Sequence, residues 1–142
     1  MLMGEYSHTI DAKGRLIIPA KFREELGDSF VVSRGFDGCL NAYDAASWMK
    51  IKEELSSLPQ FKKDARDIIR FFLSGAVEAE IDKQGRILIP AKLRDHAGLK
   101  KDVILVGVGS KVEIWDSERW LSVVPDSIDD RAEELSSLGI SL

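Results

Sequence analysis

One cysteine, two histidines and no long apolar run deny this chain of 142 residues several common solutions. Cys39 has no second thiol to pair with, so no internal disulfide frames the fold, and with His8 and His96 far apart it offers no zinc-ligand spacing. It reads as a small buried apolar residue. No stretch approaches the length of a membrane span, and the opening MLMGEYSHTIDAKG lacks the hydrophobic core of a signal peptide. Both observations point to a cytoplasmic protein. Catalytic groups are scarce as well. Neither histidine has a sequence-evident Ser or Cys partner, so an enzyme would need a triad assembled from distant parts of the chain. Gly107-Val108-Gly109 lacks the further glycine and the βαβ unit of a dinucleotide site, and no Walker sequence occurs. No residue is assigned to a metal, cofactor or catalytic role.

A surplus of positive charge is missing too. The formal net charge is -4, which argues against nucleic acid until the charges are located. Residues 125–142 hold Asp126, Asp129, Asp130, Glu133 and Glu134 against Arg131 alone; without them the chain has 19 basic and 19 acidic residues. The body is formally neutral, so a local patch, and not the total, decides whether DNA can be met.

What is present is a repeat. IDAKGRLIIPAKFR at 10–23 returns as IDKQGRILIPAKLR at 81–94, with nine of 14 positions identical and three of the rest exchanging one large apolar residue for another. Two copies are too few for an open solenoid, and each half alone is only marginally able to support a core. Two alike units that cover each other's apolar faces about an approximate two-fold axis are the simpler geometry.

Each copy brackets a short loop, Ala12-Lys13-Gly14 or Lys83-Gln84-Gly85, with strand-like residues. Glycine at the third position suits the left-handed residue of a three-residue connection, which predicts a β-hairpin in each copy. Asp11 with Arg15, and Asp82 with Arg86, flank the two turns and allow a charge-assisted contact across each base. Pro19 and Pro90 end their strands, and the segments 20–26 and 91–97 read as short helical turns closed by Gly27 and Gly98. Residues 30–33 and 39–43 predict further strands, matched by 103–106 and 111–115. Asp44 and Asp116 are good N-caps, which places Trp48 and Trp120 one turn inside the next helices, packed on the sheet. Between the halves, the apolar spacing of Trp48, Ile51, Leu55 and Leu58 predicts a helix to Leu58, stopped by Pro59. A second helix over 62–73 turns Ala65, Ile68, Ile69 and Phe72 inward, with Lys62, Lys63, Arg66 and Arg70 outward. Ile128, Leu135 and Leu138 form a weak stripe in the tail, which is either a mobile acidic extension or an intersubunit packing element.

The repeated polar tips offer the one constellation with a use. Lys13 and Arg15, with Lys83 and Arg86, stand at the turns; Lys21, Arg23, Lys92 and Arg94 lie one short element further on and broaden that surface. Lysine gives flexible phosphate contacts, arginine can also engage a guanine edge, and a two-stranded ribbon can enter the major groove. The opposite reading is structural: Asp11 and Asp82 fix their arginines, leaving only lysines to touch a partner. As opposite-charge pairs they lower the carboxylate pKa and prepare no general base.

MxxGEYxHTIDxKGRLxIPAKFR, read at 1–23, resembles the start of the MraZ family of bacterial transcriptional regulators, members of the SpoVT-AbrB superfamily. SRGFDGCLNAY at 33–43 and RFFLSGAVEAEIDKQGRILIPAKLR at 70–94 extend the resemblance over essentially the whole chain. The fold it implies is mixed α/β with a mainly β core: a tandem swapped-hairpin (double-split) barrel of AbrB type, with connecting and C-terminal helices. The units would run 5–47 and 76–119, with a helical connection at 48–75 and a helical or flexible tail at 120–142. The function it implies is sequence-specific, non-enzymatic binding of double-stranded promoter DNA at repeated boxes. The protein would be a ring-shaped homo-oligomer at the nucleoid, repressing its own cell-division and cell-wall gene cluster. The family's DxxxR motif falls on Asp11/Arg15 and Asp82/Arg86, with Gly14 and Gly85 preserving the turns. Lys13 faces Gln84 at the matching position, which marks the first turn as the stronger contact. Two other uses stay open: an antitoxin-type module that binds protein, and an enzyme built on His8 or His96.

Overall fold

A computed structural model describes residues 1–140. The chain runs β1 (Leu2–Thr9), β2 (Arg15–Ile17), α1 (Ala20–Leu26), β3 (Ser29–Arg34), β4 (Leu40–Tyr43), α2 (Ala45–Ser56) and α3 (Lys63–Ser74) in its first half. The second half follows with β5 (Val77–Glu80), β6 (Arg86–Leu88), α4 (Ala91–Ala97), β7 (Asp102–Gly109), β8 (Val112–Asp116), α5 (Ser117–Val123) and α6 (Ile128–Ser137). The short helices at 20–26 and 91–97 stand where the sequence places them, with Gly27 and Gly98 as their C-caps. Asp44 accepts from Ser47 N–H at 2.8 Å and Asp116 from Arg119 N–H at 3.3 Å, so both predicted N-caps form. Trp48 is buried beside Tyr43, and Trp120 meets Trp115 in the matching place. Helix α2 stops at Ser56, two residues short of the expected Leu58.

The sheet order carries the symmetry. Six antiparallel strands lie in the order β1-β7-β8-β4-β3-β5, and β2 pairs with β6 in a separate ribbon. Exchanging each strand for its counterpart in the other half reverses that list and leaves it unchanged. The approximate axis therefore passes between Asn41↔Glu113 in the large sheet and Leu16↔Ile87 in the ribbon.

The order also corrects the hairpin expectation. The two arms of each turn do not zip together: Ile10↔Leu16 is a single bridge, after which β1 joins β7 and β2 joins β6. In the second half β5 likewise joins β3 and leaves β6 to the ribbon. Every strand leaving a turn thus finds its partner in the other repeat. The reason is burial. Leu16, Ile18, Ile87 and Ile89 are at most 1% exposed, and the crossed arrangement joins both apolar pairs to the single core that also holds Phe22 and Leu93. At about 1.5–3 kcal/mol for each fully buried side chain, this contribution outweighs the local ladder a simple hairpin would make. A mixed α/β fold with an extensive antiparallel sheet results. The hydrogen bonds form a six-stranded sheet with β1 and β5 at its edges, not a closed barrel.

Candidate nucleic-acid interface

Both turns are built by the same bonds. Asp11 Oδ1 accepts from the backbone N–H groups of Lys13 (3.0 Å) and Arg15 (2.9 Å), and its Oδ2 accepts from Arg15 Nε at 2.6 Å. Asp82 repeats this with Gln84 N–H and Arg86 N–H at 2.9 Å and Arg86 Nε at 3.0 Å. The backbone N–H of the arginine holds each carboxyl below the usual carboxylate range; desolvation opposes it more than the guanidinium bond adds to it, and the net direction is down. Such a carboxylate orders a loop and is a poor general base.

The glycines let each turn touch the other repeat. Gly14 (φ 89°) and Gly85 (φ 80°) lie in the left-handed region, where a side chain adds strain. Space forbids one as well. A Cβ on Gly14 would stand 2.7 Å from the Ile89 carbonyl oxygen, and one on Gly85 would strike the Arg23 guanidinium. That closeness is used: Ile89 N–H donates to the Gly14 carbonyl at 2.8 Å, and Ile18 N–H donates to the Gly85 carbonyl at 2.9 Å. Arg94 lies over the first turn, donating from Nε to the Ile89 carbonyl at 3.0 Å, while Arg23 lies over the second. The half-buried Arg23 and Arg94 therefore brace turns 62 to 80 positions away in sequence, a placement that their spacing alone does not reveal.

The ribbon brings the basic residues to one face. Leu16, Ile18, Ile87 and Ile89 point inward, so Arg15 and Ile17 on β2, with Arg86 and Leu88 on β6, face outward. The register sets Arg15 beside Leu88 and Ile17 beside Arg86, which puts the two arginines on a diagonal, about 7 Å apart along the strand direction. Ile17 is 41% and Leu88 59% exposed between them. Lys13 and Lys83 are exposed at the two ends of this face, and Lys21 and Lys92 are exposed on α1 and α4. Among the described residues none of these four lysines has an ion pair, whereas both arginines are held by their aspartates. The arrangement presents free ammonium groups at the edges and oriented guanidinium groups at the centre. Phosphate favours the first kind of group and a base edge the second.

The rest of the polar inventory leads elsewhere. His96 Nε2 lies 3.2 Å from the Gly35 carbonyl oxygen, and no hydrogen bond joins a Ser or Cys to either histidine among the described residues. Cys39 is fully buried, and that burial pushes its thiol up to about 12. No helix among the described residues is long and apolar enough to cross a membrane.

The family model described as "MraZ protein, putative antitoxin-like" matches residues 1–71 and again 72–135. The chain belongs to the MraZ family. A transcriptional regulator MraZ of Thermoanaerobacter sp. is 58% identical over 99% of this chain and 100% of its own length. The MraZ regulators of Acetivibrio thermocellus and Ligilactobacillus salivarius are 51% and 58% identical, over 99% and 94% of this chain and 100% and 90% of their own. Among solved structures, the solution structure of PHS018 from Pyrococcus horikoshii aligns with 80% of this chain and 88% of its own at 18% identity. Its TM-score is 0.32, too low to carry an argument. The two MraZ matches meet within α3, at residues 71 and 72, so that each covers one copy of the repeat.

Proposed function

We propose that this MraZ-family chain is a sequence-specific DNA-binding transcriptional regulator that represses its own cell-division and cell-wall gene cluster by occupying repeated promoter boxes. The observation that carries the reading is the outward face of the β2–β6 ribbon, where Arg15 and Arg86 lie between Lys13 and Lys83. A two-stranded ribbon fits the major groove, the lysines position phosphates and the arginines meet base edges. Nothing is catalysed; occupancy of the promoter is the output. Lys21 extends the phosphate contact from α1, and Arg23 supports it from beneath. Asp11, Gly14, Asp82 and Gly85 hold the two turns in shape. The two sheets are read as the walls of a tandem double-split barrel, with 5–47 and 76–119 as its units, 48–75 as connection and 120–142 as tail. A homo-oligomeric ring at the nucleoid would place several such ribbons beside successive boxes, so that weak single contacts add through high local concentration.

The test is a titration at fixed salt of DNAs carrying one to four candidate boxes. Affinity rises with box number, and neutralising Lys13 or Arg15 weakens it while the fold is retained. Unchanged affinity for both substitutions sinks the assignment of the ribbon. The antitoxin-like description of the family model keeps a second reading in view, in which the same face binds a protein. It predicts an affinity indifferent to the number of boxes.

A further inference from the structure

The order of elements repeats along with the sequence. Each half runs strand, strand, helix, strand, strand, helix, helix, so α6 stands where α3 stands in the first half. Helix α3 buries Ala65 and Phe72 and lies against β3. Helix α6 has no buried residue, although Ile128, Ala132, Leu135 and Leu138 recur at three- and four-residue spacing along one side. Ile128 is 68% and Leu138 74% exposed. Asp129, Asp130, Glu133 and Glu134 take the other side, and Ser127 caps the helix by accepting from Asp130 N–H. A helix of 10 residues is too short to hold itself in water by propensity, so a capped amphipathic one with an open stripe calls for a partner surface.

The same molecule carries a surface of the opposite kind. Between α2 and α3 a cavity of about 330 Å³ is lined by Phe36, Ile51, Leu55, Leu58, Ile68 and Phe72, with Glu54 and Lys111 as its charged lining residues, one of each sign. Phe36 is 58% exposed there and Phe61, just before α3, is 83% exposed. The segment 62–70 bears Lys62, Lys63, Arg66 and Arg70 against two carboxylates, Asp64 and Asp67. Asp67 is shared by Lys63 at 2.7 Å and Arg70 at 3.7 Å, which leaves the outer side of α3 net positive. No residue of α6 lines its own chain's groove.

We propose that α6 of one chain docks by its apolar stripe into the α2–α3 groove of a second copy, with its acidic flanks toward the basic side of α3. Helix-in-groove association reads anchors at such spacing, and Ile128, Leu135 and Leu138 are the anchors here. Opposite charge fixes the direction and rejects a groove of the wrong sign. The contact rests on the reading of the chain as a homo-oligomer and names the element that joins its copies. It also gives the acidic tail a use apart from DNA.

The experiment uses the full chain. Leu138→Cys in one preparation and Leu58→Cys in another are mixed and oxidised; Leu138 is exposed at the C-cap of α6, and Leu58 is half-buried just past the end of α2, where it lines the groove. A disulfide joining two chains in the mixture is expected. Its absence, or closure within one chain when both substitutions are placed together, overturns the proposal. In parallel, Leu135→Asp is compared with the parent by light scattering across concentration. Dissociation at about tenfold higher concentration is expected, with the circular dichroism unchanged. An assembly of the same mass and stability overturns the contact, and a variant that no longer folds is replaced by Ile128→Asp, whose site is exposed. Binding of these variants to a single promoter box is read separately. Its loss in the parent counts against the DNA reading and leaves the cross-link result standing.

Discussion

The turn at 11–15 and the turn at 82–86 are held by the same three bonds to an aspartate, yet they offer different groups to a partner. Lys13 occupies the position of Gln84, and Ala12 that of Lys83. Gln84 Oε1 also accepts from Arg86 Nη2 at 3.3 Å, a bond the first turn has no group to make. The Arg15 side chain is 37% exposed and that of Arg86 26%. The frame is the same in both copies, and each turn reaches the other repeat through Gly14 and Gly85. The tips differ, and only the second carries a side chain, Gln84, that bonds its own arginine. The second arginine is the more committed to its own loop, and the first is the more available.

The strongest way to break the comparison is to attack what the halves share. Leu16 and Ile87 face each other on the approximate axis and are at most 1% exposed. Leu16→Ala and Ile87→Ala are each expected to cost about 2–5 kcal/mol, and by similar amounts. Because the two side chains touch one core, the double variant should fall short of the sum. Urea unfolding measures all three, and a large inequality between the single variants would show that one unit carries the core.

The turn glycines come next. Gly85→Ala sets a Cβ against the Arg23 guanidinium at φ 80°, and a cost of about 1–3 kcal/mol is expected from the backbone alone. Shortening Arg23 to Ala in the same chain should recover part of it, since a flexible side chain is what stands in the way. Gly14→Ala meets the Ile89 carbonyl oxygen, which is backbone and cannot move aside as cheaply. The first turn is therefore expected to suffer more, as read by thermal unfolding of the two variants side by side.

A smaller effect separates the tips. Under the DNA reading, Lys13→Ala is expected to lower the slope of log affinity against log salt by about one, the signature of one lost phosphate contact. Gln84→Ala removes no charge and should leave the slope unchanged. By freeing Arg86 from its extra bond it is expected to bring the second turn closer in behaviour to the first. Equal slopes for both variants would put Lys13 outside the contact.

These outcomes depend on features that were unequally visible in the sequence. The repeat, the helices at 20–26 and 91–97 and the caps at Asp44 and Asp116 were legible because each is written within a few neighbouring residues. The Asp11–Arg15 and Asp82–Arg86 bonds were legible for the same reason. The crossing of the strands was not written in the turn residues, and only the resemblance to a swapped-hairpin fold implied it. A turn signal specifies where the chain reverses, but partner choice after the single bridge at Ile10↔Leu16 is settled by which arrangement buries Leu16 and Ile87. Arg23 and Arg94 read as more basic surface, since nothing near them in sequence tells of the glycine each lies over. The clue lay in the glycines, whose missing side chains leave room for a group from elsewhere. The outward pairing of Arg15 with Leu88 and Ile17 with Arg86 needed the register of a ribbon made from both halves.

The smallest expected effect concerns protons. Asp11 and Asp82 are each held below the ordinary carboxylate value of 3.8, so each ionised group stabilises its turn. A depressed folded-state pKa contributes stability that is complete above the unfolded value and is lost as pH falls through the folded one. Both turns should accordingly hold through the range above about pH 4 and loosen only in stronger acid. Carbon NMR of the two carboxyl groups measures the midpoints directly. The largest cause in each turn is the arginine's backbone N–H, with the guanidinium behind it, so truncating the side chain should restore only part of the shift. In Arg15→Ala the midpoint of Asp11 is expected to rise and yet stay below 3.8, because the N–H of residue 15 still donates to Oδ1. A full return to 3.8 would mean that the guanidinium, not the backbone, sets the first turn. The aspartate would then compete directly with DNA for Arg15, and the greater availability of the first arginine would have to be surrendered.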